Sequence, residues 1–191
     1  MKQLMLLSLV CLFLFSACVN SERKVDTSDT CSNKKEKVEE SKGKLEKDKT
    51  TWRYSEVEDE MSDKPIYFAY IESLNKVDFE FPYEGGSKLI FVIRESPEYG
   101  HDMYIKISKG QFNTNFDGEK IQMRFDDEEA FTVKCLESND MSGDQLYLRS
   151  SDFDKILKLI LNSKTMKIKA DFFGEGSKTF KFNIEGLEWK H

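Results

Sequence analysis

Histidine is nearly missing from this chain: His101 and His191 are the only two in 191 residues. Neither has ligand-type neighbours, and no HExxH, CxxC, GxSxG or phosphate-binding glycine loop occurs. Catalysis usually needs a tuned base, an activated nucleophile or a metal, and none of these is signalled. Basic clusters are missing beyond residue 50, and the chain carries a net charge of −6. Such a chain is not suited to nucleic acid or to an anionic membrane face. No apolar run is long enough to span a bilayer, which takes about 20 residues. Aromatic residues are confined as well: apart from Phe13 and Phe15, all lie at or beyond Trp52. The reading is of a non-enzymatic chain with no catalytic residue, no metal site, no cofactor and no nucleic-acid partner.

What is present begins with the N-terminal block. Lys2 supplies a positive charge, an apolar stretch of about a dozen residues follows, and the small residues Ser16 and Ala17 precede Cys18. These are the parts of a secretory signal. Phe15-Ser16-Ala17-Cys18 resembles the bacterial lipobox, with Phe15 where leucine is usual. The resemblance implies cleavage before Cys18, a diacylglyceryl thioether on its sulfur and an N-acyl chain, giving a membrane partner through the lipid. One chain holds a protein reversibly, whereas two or more anchor it. The alternative is plain secretion with Cys18 incidental. Loss of residues 1–17 removes one base and no acid, which leaves a charge of −7.

Residues 18–50 read as the lipidated cysteine and a flexible charged linker. The stretch has no aromatic, no proline and few apolar residues, so it cannot offset the entropy of ordering itself. As a coil its ends lie roughly 30 Å apart. Of four cysteines, Cys11 leaves with the signal and Cys18 takes lipid. Cys31 lies in the linker, and Cys135 shares an alternating face with Phe131 and Val133. A buried free thiol is the expectation for Cys135; a Cys31–Cys135 bridge would require the linker to dock.

From residue 51 to 191 the dominant signal is period-two alternation, the mark of half-buried strands. It occurs at 77–81, 121–125, 131–135, 166–172 and 180–184. The continuous apolar runs at 66–71 and 89–93 predict central strands buried on both faces, and 103–107 and 146–148 predict shorter ones. Glycine turns separate them at 84–87, 109–110, 117–118, 142–144 and 174–176. The expected fold is mainly β: an antiparallel β-sandwich or partly open barrel. One amphipathic α-helix breaks the rule near the C-terminal end, where Phe153, Ile156, Leu157, Ile160 and Leu161 keep helical spacing. Ser151 and Asp154 predict a capping box for it.

The order of these features resembles type VI secretion-associated VasI/TagO-type proteins and related phage and bacterial lipoproteins. The stretches that carry the resemblance are Trp52-Arg53-Tyr54-Ser55, Asp59-Glu60-Met61-Ser62-Asp63, residues 89–94 ending in Arg94, Met123-Arg124-Phe125-Asp126, Gln145-Leu146-Tyr147-Leu148, residues 153–161, and 180–187. Glu95 stands where those proteins often carry a cysteine. The resemblance implies a β-sandwich accessory protein without catalysis.

Functional candidates are few. Arg94, Arg124, Trp52 and Trp189 are the candidate interface residues, because an arginine beside aromatics suits an interface anchor. Alternation places Arg124 opposite Met123 and Phe125, where solvent and an ion pair with Asp126 or Asp127 are expected. Residues 139–144 hold oxygen ligands of the type calcium takes, without EF-hand spacing. The resulting expectation is an envelope lipoprotein whose domain binds a protein partner. The alternatives are an envelope inhibitor or immunity protein, and a carboxylate-dependent hydrolase.

Overall fold

The structure is a computed structural model, and it describes residues 51–114 and 119–191. The signal, the linker, Cys18, Cys31 and the turn at 117–118 lie outside the described residues. The described chain forms nine strands and one helix: β1 (Arg53–Asp59), β2 (Lys64–Glu72), β3 (Leu89–Ser96), β4 (Gly100–Ile107), β5 (Glu119–Phe125), β6 (Phe131–Glu137), β7 (Gln145–Leu148), α1 (Phe153–Asn162), β8 (Thr165–Phe172) and β9 (Gly176–Asn183). All pairings are antiparallel, in the order β1-β2-β3-β4-β7-β6-β5-β8-β9. The mainly β expectation holds.

Alternation sets which way each strand faces. Leu89, Phe91 and Ile93 of β3, Met103, Ile105 and Ile107 of β4, and Ile121, Met123 and Phe125 of β5 are all buried in one cluster. Met166, Ile168, Ala170 and Phe172 of β8 and Phe180 and Phe182 of β9 join the same cluster from the far half of the sheet. A single sheet can bury one face against itself only by coiling. The β9 edge meets the connection that follows β2 without a ladder: Leu74 N donates to Lys181 O at 2.7 Å, and Asn75 bonds Thr179 O and Lys181 N. The result is a partly open barrel, sandwich-like in its packing.

Two plugs fill the core's ends. On one side Phe79, Phe112 and Phe180 gather around Phe172, with centroids 4.9–5.9 Å from it, Phe112 stacked, Phe79 tilted and Phe180 edge-on. On the other, α1 buries Phe153, Ile156 and Ile160, and His101 lies 5.3 Å from the Phe153 ring. The helix therefore serves the core, as its stripe predicts. The capping box does not form. A 3₁₀ turn (Ser150–Asp152) runs straight into α1, so Asp152 occupies the cap position and no side chain caps the helix.

Two strand expectations need correction. Residues 77–81 make only a single bridge, Val77 to Ser87. Their alternation instead drops Phe79 into the aromatic plug and leaves Phe81 exposed. Residues 66–71 form part of β2, next to an edge strand, but only Ala69 and Ile71 are buried, while Ile66, Phe68 and Tyr70 of the other phase are half-buried. Cys135 is a free thiol, 1% exposed, and burial pushes its pKa up to about 12. It is a small apolar core residue.

Candidate interface around Arg94

The outward phase of β3, β4, β7 and β6 carries the most distinctive surface. Antiparallel register sets Val92 opposite Tyr104, Arg94 opposite Asp102, Tyr104 opposite Tyr147, and Leu136 opposite Tyr147. Directly opposed residues on one face approach closely enough for their side chains to interact. Arg94 Nε donates to both carboxylate oxygens of Asp102 at 3.1 Å, and its Nη2 donates to Oδ2. The guanidinium also lies 5.3, 5.8 and 5.7 Å from the ring centroids of Tyr99, Tyr104 and Tyr147. A planar cation against several rings gains from both its charge and its shape.

Electrostatics tighten this arrangement. Burial alone lowers the Arg94 pKa, but its hydrogen bonds to Asp102 and that carboxylate's charge outweigh burial and hold it raised. Burial pushes the Tyr104 phenol up to about 12 against the opposing pull of Arg94. The guanidinium stays charged and the phenol neutral throughout the physiological range.

A groove of about 590 Å³ opens beside the cluster, lined in part by Tyr99, Leu136, Asn139, Tyr147 and Arg149. Tyr99 sits in the turn between β3 and β4 and is 62% exposed, while Leu136 on β6 is 55% exposed. The loop of residues 138–144 supplies another part of the lining and is held by its own hydrogen bonds. Asp140 accepts from the Ser138 hydroxyl and from Ser142 N at 3.1 Å, and Asp144 accepts from the Ser142 hydroxyl at 2.6 Å. Lys106 Nζ lies 3.2 Å from Asp144. Among the described residues, no group of three or more His, Cys, Asp or Glu is arranged to hold a metal ion. Of the side chains in 139–144, Asp140, Ser142 and Asp144 hold the loop through these bonds.

The four sequence candidates are scattered. Arg94 anchors the groove. Arg124 lies on the outer face of β5, with Nη2 3.7 Å from Asp127. Its other expected partner, Asp126, is taken by Lys164 N, Thr165 N and the Thr165 hydroxyl. Trp52 is 7% exposed, packs edge-on against Phe91 at 6.5 Å and donates its indole N–H to Ile184 O at 2.9 Å. It belongs to the core, so the interface role expected of it has no surface to act through. Trp189 lines a different pocket, with His191.

Sequence reasoning missed Asp102, Tyr99, Tyr104 and Tyr147. The signal for the last two was in the alternation itself, since each occupies the outward phase of a strand whose inward phase is aliphatic. No family model, curated protein or solved structure matches this chain.

Proposed function

We propose that this chain is a membrane-anchored envelope lipoprotein whose domain is a non-catalytic accessory module that binds a protein partner through the Arg94 face. In this reading the lipid on Cys18 holds it to the membrane, residues 18–50 act as the tether, and residues 51–191 present the binding face. The observation that carries the binding reading is the ion-paired arginine, largely removed from water among three tyrosines, beside exposed Tyr99 and Leu136. Tyrosine and arginine are enriched among residues that dominate interface energetics, and order in the free protein lowers the entropy lost on binding. The carboxylates nearest the groove fit recognition better than hydrolysis. Asp102 is committed to Arg94, and the Ser138 and Ser142 hydrogen bonds hold Asp140 below the usual carboxylate range. The likeness in feature order to VasI/TagO-type proteins favours a role beside a secretion assembly.

Two measurements test this. Mass spectrometry of the mature protein from its host should find a fatty-acylated cysteine at position 18 as the first residue. A photo-crosslinking amino acid at position 99 or 136 should yield one discrete protein adduct in cells. The same probe at Phe81, 83% exposed and not in the groove lining, should not yield it. An unmodified N-terminus would remove the anchor, and equal labelling at all three positions would remove the binding face.

A further inference from the structure

A second concavity, of about 490 Å³, lies where the β1–β2 hairpin meets the chain beyond β9. It is lined by Tyr54, Glu56 and Tyr67 from the hairpin and by Glu188, Trp189 and His191 from the later segment. The two are fastened together: Glu188 N donates to the Tyr54 hydroxyl at 2.7 Å, and Trp52 Nε1 donates to Ile184 O at 2.9 Å. His191 stacks on Tyr67 with ring centroids 3.8 Å apart and planes 13° from parallel. Trp189 meets the same imidazole edge-on at 5.2 Å, and His191 Nδ1 lies 3.7 Å from Glu95 Oε2. The Trp189 indole N–H is buried without a hydrogen-bond partner. A buried indole usually satisfies that donor. Here the ring packs against the core and meets His191, and its donor is left free.

We propose that this pocket binds an organic cation of the quaternary-ammonium type, with the aromatic rings as its walls and Glu56 and Glu188 as its counter-charges. A quaternary ammonium has no N–H to satisfy. It is held by ring faces and by carboxylates at longer range, the combination found here. The volume falls within the range of small-ligand sites. Other ligand classes fit less well. Carboxylates outnumber the one lysine of the lining, Lys190, which disfavours an anion. A neutral ligand would draw nothing from the charge of Glu56 and Glu188.

The test is calorimetric titration of choline into the chain as its host produces it, held in a sugar-headgroup detergent. The control ligand is 3,3-dimethylbutan-1-ol, which has the same shape without the charge. Choline should bind saturably with Kd on the order of 1 mM, and the neutral isostere at least roughly tenfold more weakly. Trp189→Leu should weaken choline binding by about tenfold or more, with Trp189→Phe partly restoring it. Should Trp189→Leu fail to fold, the exposed pair Glu56→Gln/Glu188→Gln provides a second variant expected to weaken choline and spare the isostere. Competition by phosphatidylcholine vesicles, but not phosphatidylglycerol vesicles, would assign the cation to a lipid headgroup. Choline binding without such competition would assign it to a free small molecule. Absence of saturable choline binding, equal binding of the isostere, or full binding by the variants would overturn the proposal.

Discussion

Arg94 and Asp102 form the pair on which the geometry of the proposed interface depends, and a double-mutant cycle tests it. The side chains retain 18% and 12% of their exposure. Removing one member of a fully buried pair costs about 3–5 kcal/mol, because the remaining charge is left uncompensated. With some solvent still present, Arg94→Met should cost about 3 kcal/mol, since Asp102 keeps a buried negative charge. Asp102→Leu should cost about 2 kcal/mol, because Arg94 still has three ring faces and a route to water. The double variant leaves no stranded charge and loses mainly the cation–ring contacts, so it should also cost only about 2 kcal/mol. A coupling energy near 3 kcal/mol follows, at the upper end of what neighbouring residues show. Guanidinium unfolding of all four proteins, with unchanged slope, measures it. Thermal midpoints should follow at roughly 4 °C per kcal/mol for a domain of this size. Additive singles of under about 0.5 kcal/mol each would refute the reasoning, because that is the behaviour of a solvent-screened surface pair. The folded double variant is also the binding control, expected to lose the adduct at position 99 while retaining the sheet.

Two further substitutions probe the frame. Gly110 has φ of +118°, and a β-carbon there would lie 2.7 Å from Cε2 of Phe79. Gly110→Ala should therefore cost about 3 kcal/mol from backbone strain plus displacement of the aromatic plug. Gly174→Ala, with φ of +71° and open space around it, should cost only about 1 kcal/mol. Equal losses in the two would show that the contact with Phe79 is not close. Asp126 ties the end of β5 to the start of β8, and hydrogen bonds from Thr165 and Lys164 depress its pKa. A carboxylate with a depressed folded pKa stabilises above its unfolded value near pH 4 and loses that contribution as pH falls through the folded value. Asp126→Asn keeps an acceptor and suits the positive φ of that position, so it should cost about 1 kcal/mol at pH 7. Unfolding measured from pH 7 down to pH 2 should show the difference shrinking, and a constant or widening gap would contradict the assignment.

Much of the fold was legible because it is local. A strand with one face in a core must alternate, so 121–125, 166–172 and 180–184 announced themselves and their inward residues. The helix was legible for the same reason at its own period. Residues 77–81 show where alternation misleads: it signals that one side faces the core, and a loop dropping a single phenylalanine inward meets that condition too. β1 had no such signal, since its residues are almost all exposed and its extension comes from pairing with β2.

The candidate site was legible only in part. Arg94 and Asp102 share one hairpin, and the short turn between β3 and β4 sets them opposite each other. Tyr147 lies more than forty residues away in sequence and reaches Arg94 only because β7 inserts between β4 and β6. Trp52 is the converse case. As an aromatic beside polar residues it reads as surface, and only the approach of the two sheet edges supplies Ile184 O for its N–H, while pairing through β2 brings Phe91 of β3 to its ring. Sequence alone determined which face of each strand points inward, because side-chain direction follows from backbone geometry two residues at a time. Strand order, and with it the arginine among tyrosines, was decided by the tertiary structure, because burying the apolar faces of eight strands in one core is a constraint on the whole chain that no segment carries by itself.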